Sequence, residues 1–210
     1  MVLESTISDD SETASARITR HAGVLSGQLR ALSATLFPPT ASKSLRSFSS
    51  GEVARIVKVS DGYLRQLSLD GLGPIPETSR AGRRSYTLEQ IHELRRYLAE
   101  ARPREALEFL PQRRPQDKLQ IITVANFKGG SAKTTTALYL AQYLALAGLR
   151  VLAIDLDPQA SLSAMFGYQP EFDIAENETL YGAIRYDERR RPMQEIIRPT
   201  YFSGIGLVPG

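Results

Sequence analysis

The chain has 210 residues, 42% of them apolar, with 26 Lys and Arg against 23 Asp and Glu for a net charge of +3. That apolar share supports a buried core in one or two domains and excludes a wholly disordered chain. The absence of cysteine excludes disulfides, thiolate metal sites and cysteine nucleophiles, and two histidines, His21 and His92, cannot build a His-rich zinc site.

No apolar run approaches the roughly 18 residues of a membrane span. The start, MVLESTISDD, lacks the basic-then-apolar order of a signal peptide. The expectation is a cytoplasmic protein with no membrane partner. Residues 1–45 carry four basic and four acidic groups, residues 46–115 thirteen and nine, and residues 116–210 nine and ten. The surplus positive charge lies in the middle third, which points to an anionic partner there.

Residues 1–16 form a polar leader rich in Ser, Thr and acid, predicted to be disordered. Apolar residues then recur at Ile18, Ala22, Leu25, Leu29, Leu32 and Leu36, an a/d seam in steps of 4, 3, 4, 3, 4. The seam predicts a dimerisation helix. An amphipathic helix packed on its own domain fits the same pattern, and so short a seam would need a neighbouring domain's support. FPPTASKS at 37–44 reads as a linker, with Pro38 and Pro39 breaking the helix.

SSGEVARIVKV at 49–59 opens on a Ser cap and sets Val53, Ala54, Ile56 and Val57 on an apolar face. Ser60, Asp61 and Gly62 supply a turn and a new cap. GYLRQLSLDGL at 62–72 reads as a second helix with Leu64, Leu67 and Leu69 as candidate core. Tyr63, Arg65 and Gln66 are expected to project from its early, solvent-facing side, where recognition helices reach base edges. A Pro/Gly-rich hairpin follows, bearing Arg80, Arg83 and Arg84, a set suited to the phosphate backbone. Thr87 caps a helix with Leu88, Ile91, Leu94 and Leu98 on one face, and PQRRPQDK at 111–118 is a second linker. The order GEVAR, VS, YLRQL, DGL, GRRSYT, EQI over residues 49–100 resembles the MerR-type winged helix-turn-helix. A three-helix domain with incidental arginines is the plainer alternative.

LQIITVAN at 119–126 is an apolar, β-branched run predicted to be a buried strand. KGGSAKTTT follows at 128–136, then an apolar helix ended by Gly148, a second predicted buried strand in RVLAIDLDPQ at 150–159, and a candidate third strand at 204–208. Strand, Gly-rich turn, helix and parallel strand make a βαβ unit whose turn can cradle phosphate. Lys128, Gly129, Gly130, Ser131, Ala132, Lys133, Thr134 and Thr135 are the candidate nucleotide-binding residues. Lys133 is placed to reach the β- and γ-phosphates of ATP, and the Thr134 hydroxyl to hold Mg²⁺.

The usual P-loop pattern fails, because Phe127 and Ala132 stand at its glycine positions. The pattern that fits is K-G-G-x-x-K-[ST]-[ST], the deviant Walker A, and with DLDPQ it resembles the ParA/MinD family of ATPases. The resemblance implies that Lys128 reaches across a nucleotide-sandwich homodimer to the partner's phosphates. It likewise implies that Asp155 lies on the Mg²⁺ side, through water, and that Asp157 positions the attacking water. Alanine at position 132 would cost roughly 1–2 kcal/mol if the loop needs a positive φ there.

A winged helix-turn-helix ahead of a deviant Walker ATPase resembles the larger, DNA-binding ParA proteins of low-copy plasmids, and residues 125–171 look especially like their RepA branch. This implies a plasmid-partition ATPase that works with a ParB-type centromere-binding protein, associates with the nucleoid or plasmid, and binds DNA both non-specifically and at its operator, where it represses its own operon. The expected fold is α/β: leader plus dimerisation helix at 1–45, winged module at 46–115, and an incomplete P-loop parallel sheet at 116–210. No later apolar strand ending in Asp follows, so the chain reads as the N-terminal part, or a truncated product, of a protein near twice its length. ATP hydrolysis is expected of that parent, and DNA binding with negligible hydrolysis of these 210 residues. The alternatives are a transcription regulator with an inactive nucleotide fold, and a MinD-like membrane-positioning ATPase. The basic middle third, and the want of a basic amphipathic helix, argue against the latter.

Overall fold

A computed structural model describes residues 13–36, 43–111, 116–175 and 177–210. Most of the predicted leader and of the first linker, and half of the second (1–12, 37–42 and 112–115), lies outside these residues. The chain divides into two units, Met1–Ser42 and Lys43–Gly210. The first is α1 (Ala14–Leu36), which begins inside the predicted leader. Ile18, Leu25, Leu29, Leu32 and Leu36 of its seam are all exposed.

The second unit opens with β1 (Phe48–Ser49), α2 (Ser50–Val57) and α3 (Asp61–Leu69). Then come β2 (Glu77–Thr78), β3 (Arg84–Tyr86) and α4 (Leu88–Ala101). A 3-10 turn (Pro103–Glu105) leads to α5 (Ala106–Phe109). The rest is α6 (Lys133–Leu146), β4 (Val151–Ile154), α7 (Ser161–Met165), α8 (Pro170–Asp173), α9 (Leu180–Ile184), α10 (Met193–Ile196), β5 (Arg198–Pro199) and β6 (Ile205–Val208).

Local chemistry explains the first helices. The Glu52 carboxylate accepts from the Ser49 N–H and hydroxyl, at 2.8 and 2.9 Å, fixing the start of α2. Ser60 Oγ accepts the Tyr63 N–H at 3.1 Å and starts α3. Thr87 and Gln90 exchange side-chain-to-backbone bonds at the head of α4. Helix α3 stops at Leu69, short of the predicted 72, because Gly71 turns at φ +68. Leu64 and Leu67 are buried, but Leu69 is 63% exposed, a correction to its expected place in the core. Two residues past Leu67 is about 200° around a helix, which points away from the core.

Arg46 clasps Glu52 through its two terminal guanidinium nitrogens, at 2.7 and 3.2 Å. The hydrogen bond from Arg46, with those from Ser49, pulls the Glu52 carboxyl down to about 2. A depressed carboxylate contributes stability above its unfolded value and loses it as pH falls through the folded one. Arg46→Met should therefore lower the thermal midpoint at pH 7, by a margin that salt reduces. That margin should shrink as pH falls from the ordinary carboxylate range towards 2; one independent of pH would contradict this origin.

The strands form two small sheets. β3 lies between β1 and β2, antiparallel to both, with Phe48 opposite Tyr86 and Thr78 opposite Arg84. β6 lies between β4, parallel to it from Val151–Ile205 to Ile154–Val208, and antiparallel β5. One apolar cluster runs through both halves of the unit, from Val53, Leu64, Ile91 and Leu98 to Leu138, Ala145, Phe166 and Leu207.

Two strand expectations need correction. Residues 119–126 form no strand, and Leu119, Ile121 and Ile122 are 69%, 83% and 60% exposed. β-Branched composition favours extended backbone, but a strand needs a partner edge, and none of the described strands pairs with this run. The strand predicted within 150–159 is confined to β4, and it is only half-buried, with Leu152 and Ile154 exposed on one face.

Among the described residues, one cation lies inside the unit. Arg95 is 3% exposed. Its Nη1 donates to the carbonyl of Phe109 at 2.8 Å, and its Nη2 to those of Ile56 at 2.9 Å and Leu146 at 2.8 Å. Burying a guanidinium costs several kcal/mol, of order. Here the charge-assisted bonds and the negative ends of three helices offset that cost.

Candidate functional site

The loop before α6 is built from the residues singled out in the sequence. Asn126 Oδ1 accepts the Lys128 N–H at 2.8 Å and opens the loop as an Asx turn. Gly130 turns at φ +70, and Ala132 adopts the left-handed region at φ 58, ψ 25. Lys133, first residue of α6, folds back so that Nζ donates to the Lys128 carbonyl at 3.4 Å. Lys128, Gly129 and Gly130 are exposed, Ser131, Lys133 and Thr134 half-buried, and Thr135 exposed.

This loop has unspent donors. Alanine at the N-cap cannot satisfy the first N–H groups of α6, and no side chain caps them. Ser131 Oγ is buried without a hydrogen-bond partner. Uncapped helix N–H groups, an orphaned hydroxyl and two lysines together suit a phosphate chain.

Left-handed alanine is strained relative to glycine. Ala132→Gly should therefore raise stability and tighten phosphate binding, by about 1 kcal/mol after allowing for glycine's greater unfolded freedom. Calorimetric unfolding and nucleotide titration of the variant check this. A loss in both would mean that the methyl group makes a needed contact.

The second motif leaves β4. Asp155 is 4% exposed, its Oδ2 accepting the Ser163 N–H at 2.9 Å and hydroxyl at 2.8 Å, and its Oδ1 the Asp157 N–H at 3.2 Å. Asp157 is exposed, and its Oδ1 accepts the Gln159 N–H at 3.0 Å. Helix α6 packs against both β4 and α7, so one helix borders both motifs. Ser163, which orients Asp155, escaped the sequence reading. It lies eight residues on, a spacing with no local signal. No group of three or more metal-ligating side chains occurs among the described residues.

The basic set divides by exposure. Arg65 is free in solvent on α3. Gln66 is exposed, but its Nε2 donates to Asp70 Oδ1 at 2.7 Å. Tyr63 does not project: it is half-buried against the core, with the Arg102 guanidinium 4.5 Å from its ring centre. Arg80 and Arg83 are exposed about the turn at Gly82, where the Arg83 N–H donates to Ser79 Oγ, while Arg84 is half-buried on β3.

Comparison with known proteins adds the following. Residues 122–203 match a family model described as "CobQ/CobB/MinD/ParA nucleotide binding domain". The chain is 54% identical over 192 residues to a Sinorhizobium fredii protein named "Putative replication protein A", covering 91% of this chain and 47% of that protein. It is 49% identical over 195 residues to a Rhizobium rhizogenes protein of the same name, covering 93% and 48%. Against "Protein SopA" of Escherichia coli K12 it is 34% identical over 176 residues, covering 81% and 42%. The chain thus spans about half the length of the curated relatives it matches.

Proposed function

We propose that this chain, a relative of the ParA and SopA partition proteins and of replication protein A, belongs to a plasmid-partition ATPase that also binds operator DNA. The observation that carries the reading is the loop into α6: two lysines joined through the Lys128 carbonyl, the orphaned Ser131 hydroxyl and uncapped helix N–H groups. The α2–α3 pair and the β2–β3 hairpin with its exposed arginines support a winged helix-turn-helix over 46–115. The exposed seam of α1 supports a homodimer with a second copy of this chain.

In this reading residues 128–135 bind the phosphates of ATP, with Lys133 carrying charge to the β- and γ-groups. Lys128 reaches the nucleotide held by the partner copy. The Thr134 hydroxyl, and the Asp155 carboxylate through water, would hold Mg²⁺, which when bound neutralises phosphate charge. Ser163 aims Asp155 by donating two hydrogen bonds to it. Asp157 orients the attacking water. Partners are DNA and a ParB-type protein.

Hydrolysis measured with and without operator DNA and the ParB-type partner tests the reading. Stimulated turnover lost on Asp157→Ala supports it. A second reading, a DNA-binding regulator with an inactive nucleotide fold, is favoured by strained Ala132 and by unpaired residues 119–126. It predicts DNA binding without turnover in the complete protein.

A further inference from the structure

Helix α6 has the phosphate loop at one end and Arg95 at the other. Its 14 residues make a rod of roughly 21 Å. At the far end the carbonyl of Leu146, the last residue of α6, accepts from Arg95 Nη2. The same nitrogen donates to Ile56 in the last turn of α2, the first helix of the proposed DNA-binding module. Nη1 holds the Phe109 carbonyl at the end of α5. One turn earlier on α4, His92 Nε2 lies 3.1 Å from the Ala145 carbonyl, and His92 Nδ1 lies 3.3 Å from Ser203 Oγ. The chain leaving α6 wraps the guanidinium closely: a Cβ on Gly148, which sits at φ +95, would lie 3.1 Å from Arg95 Cδ.

We propose that Arg95 is a positioning residue that couples the phosphate loop to the DNA-reading helices, so that a nucleoside triphosphate at one end of α6 changes DNA affinity at the other. This rests on the functional reading above. The physical ground is the shared nitrogen. A shift of α6 along its axis must either strip the half-buried Leu146 carbonyl of its partner and the buried cation of one of its three acceptors, or carry α2 with it. The first is strongly disfavoured. The network therefore has few arrangements, and a ligand that prefers one of them biases the other site.

The test uses the full chain and labelled duplex DNA from upstream of its own gene, titrated without nucleotide and with saturating Mg²⁺-ATP. A fluorescent ATP analogue measures nucleotide binding separately. In the wild-type protein nucleotide should change the DNA dissociation constant tenfold or more. In Arg95→Lys, whose single ammonium cannot span three carbonyls, the change should fall below twofold, while nucleotide-free DNA affinity and analogue affinity each stay within threefold. Retention of the wild-type ratio in Arg95→Lys overturns the proposal. So does a wild-type ratio near one with both ligands binding, and that outcome leaves the functional reading standing. Failure of the wild-type protein to bind nucleotide at all sinks the reading and the proposal together. Amide hydrogen exchange on the wild-type protein needs no variant: Mg²⁺-ATP should alter protection in α2, and unchanged exchange there overturns the coupling even if Arg95→Lys does not fold.

Discussion

Lys133→Ala should lower ATP affinity about a hundredfold. Charge-assisted bonds to two phosphate groups contribute roughly 3 kcal/mol together, and each 1.4 kcal/mol or so is a factor of ten. The change should leave the fold intact, because the bond that Lys133 Nζ donates to the Lys128 carbonyl is a long one, 3.4 Å. Titration with a fluorescent ATP analogue, beside circular dichroism to confirm folding, measures the effect. Near-normal affinity would remove the phosphate assignment. Lys128→Ala is the informative contrast. Its side chain is exposed, and the proposed target lies on the other copy of a dimer. That variant should bind ATP within threefold of normal and lose ATP-dependent dimerisation and turnover.

Removing Arg80 and Arg83 together should weaken DNA binding for all sequences and reduce the slope of log K against log salt by about 1.8, the loss of two phosphate contacts. The structure selects this pair over one containing Arg84, which is half-buried on β3. Arg65→Ala should instead relax preference at one base position, costing about 1–3 kcal/mol there with little change in slope. Gln66 would first have to release Asp70, so its substitution should cost less than that of Arg65. Fluorescence anisotropy across a salt series, on the operator and on scrambled duplex, separates the two effects. If Arg65→Ala flattened the slope while the hairpin pair altered base preference, the roles of helix and hairpin would be reversed.

Helix α4 was legible in the sequence because every level agreed: a Thr cap with Gln three residues on, then Leu88, Ile91, Leu94 and Leu98, all buried. The turns into α6 and out of β4 were legible as local structure because their residues are close neighbours along the chain. Residues 119–126 were misread because apolar β-branched character reports a preference for extension, whereas a strand is a relation between two segments. Ser163 was missed for a similar reason, since its bond to Asp155 depends on how α7 packs. Arg95 was readable but overlooked. It stands four residues after Ile91 and three before Leu98, on the apolar stripe, where a charged residue should prompt a search for buried partners.

The arrangement around Arg95 also bears on heredity and engineering. DNA-reading modules are commonly exchanged as cassettes, and the stretch between the two linkers looks like one. Here the cassette carries the cation, while one of its three acceptors, the Leu146 carbonyl, belongs to the recipient. A crossover within either linker would deliver a donor side chain to that carbonyl unseen. Viable hybrids should therefore come from donors with arginine at this place, and lineages built by shuffling should bear breakpoints that keep α4 and α6 from the same parent.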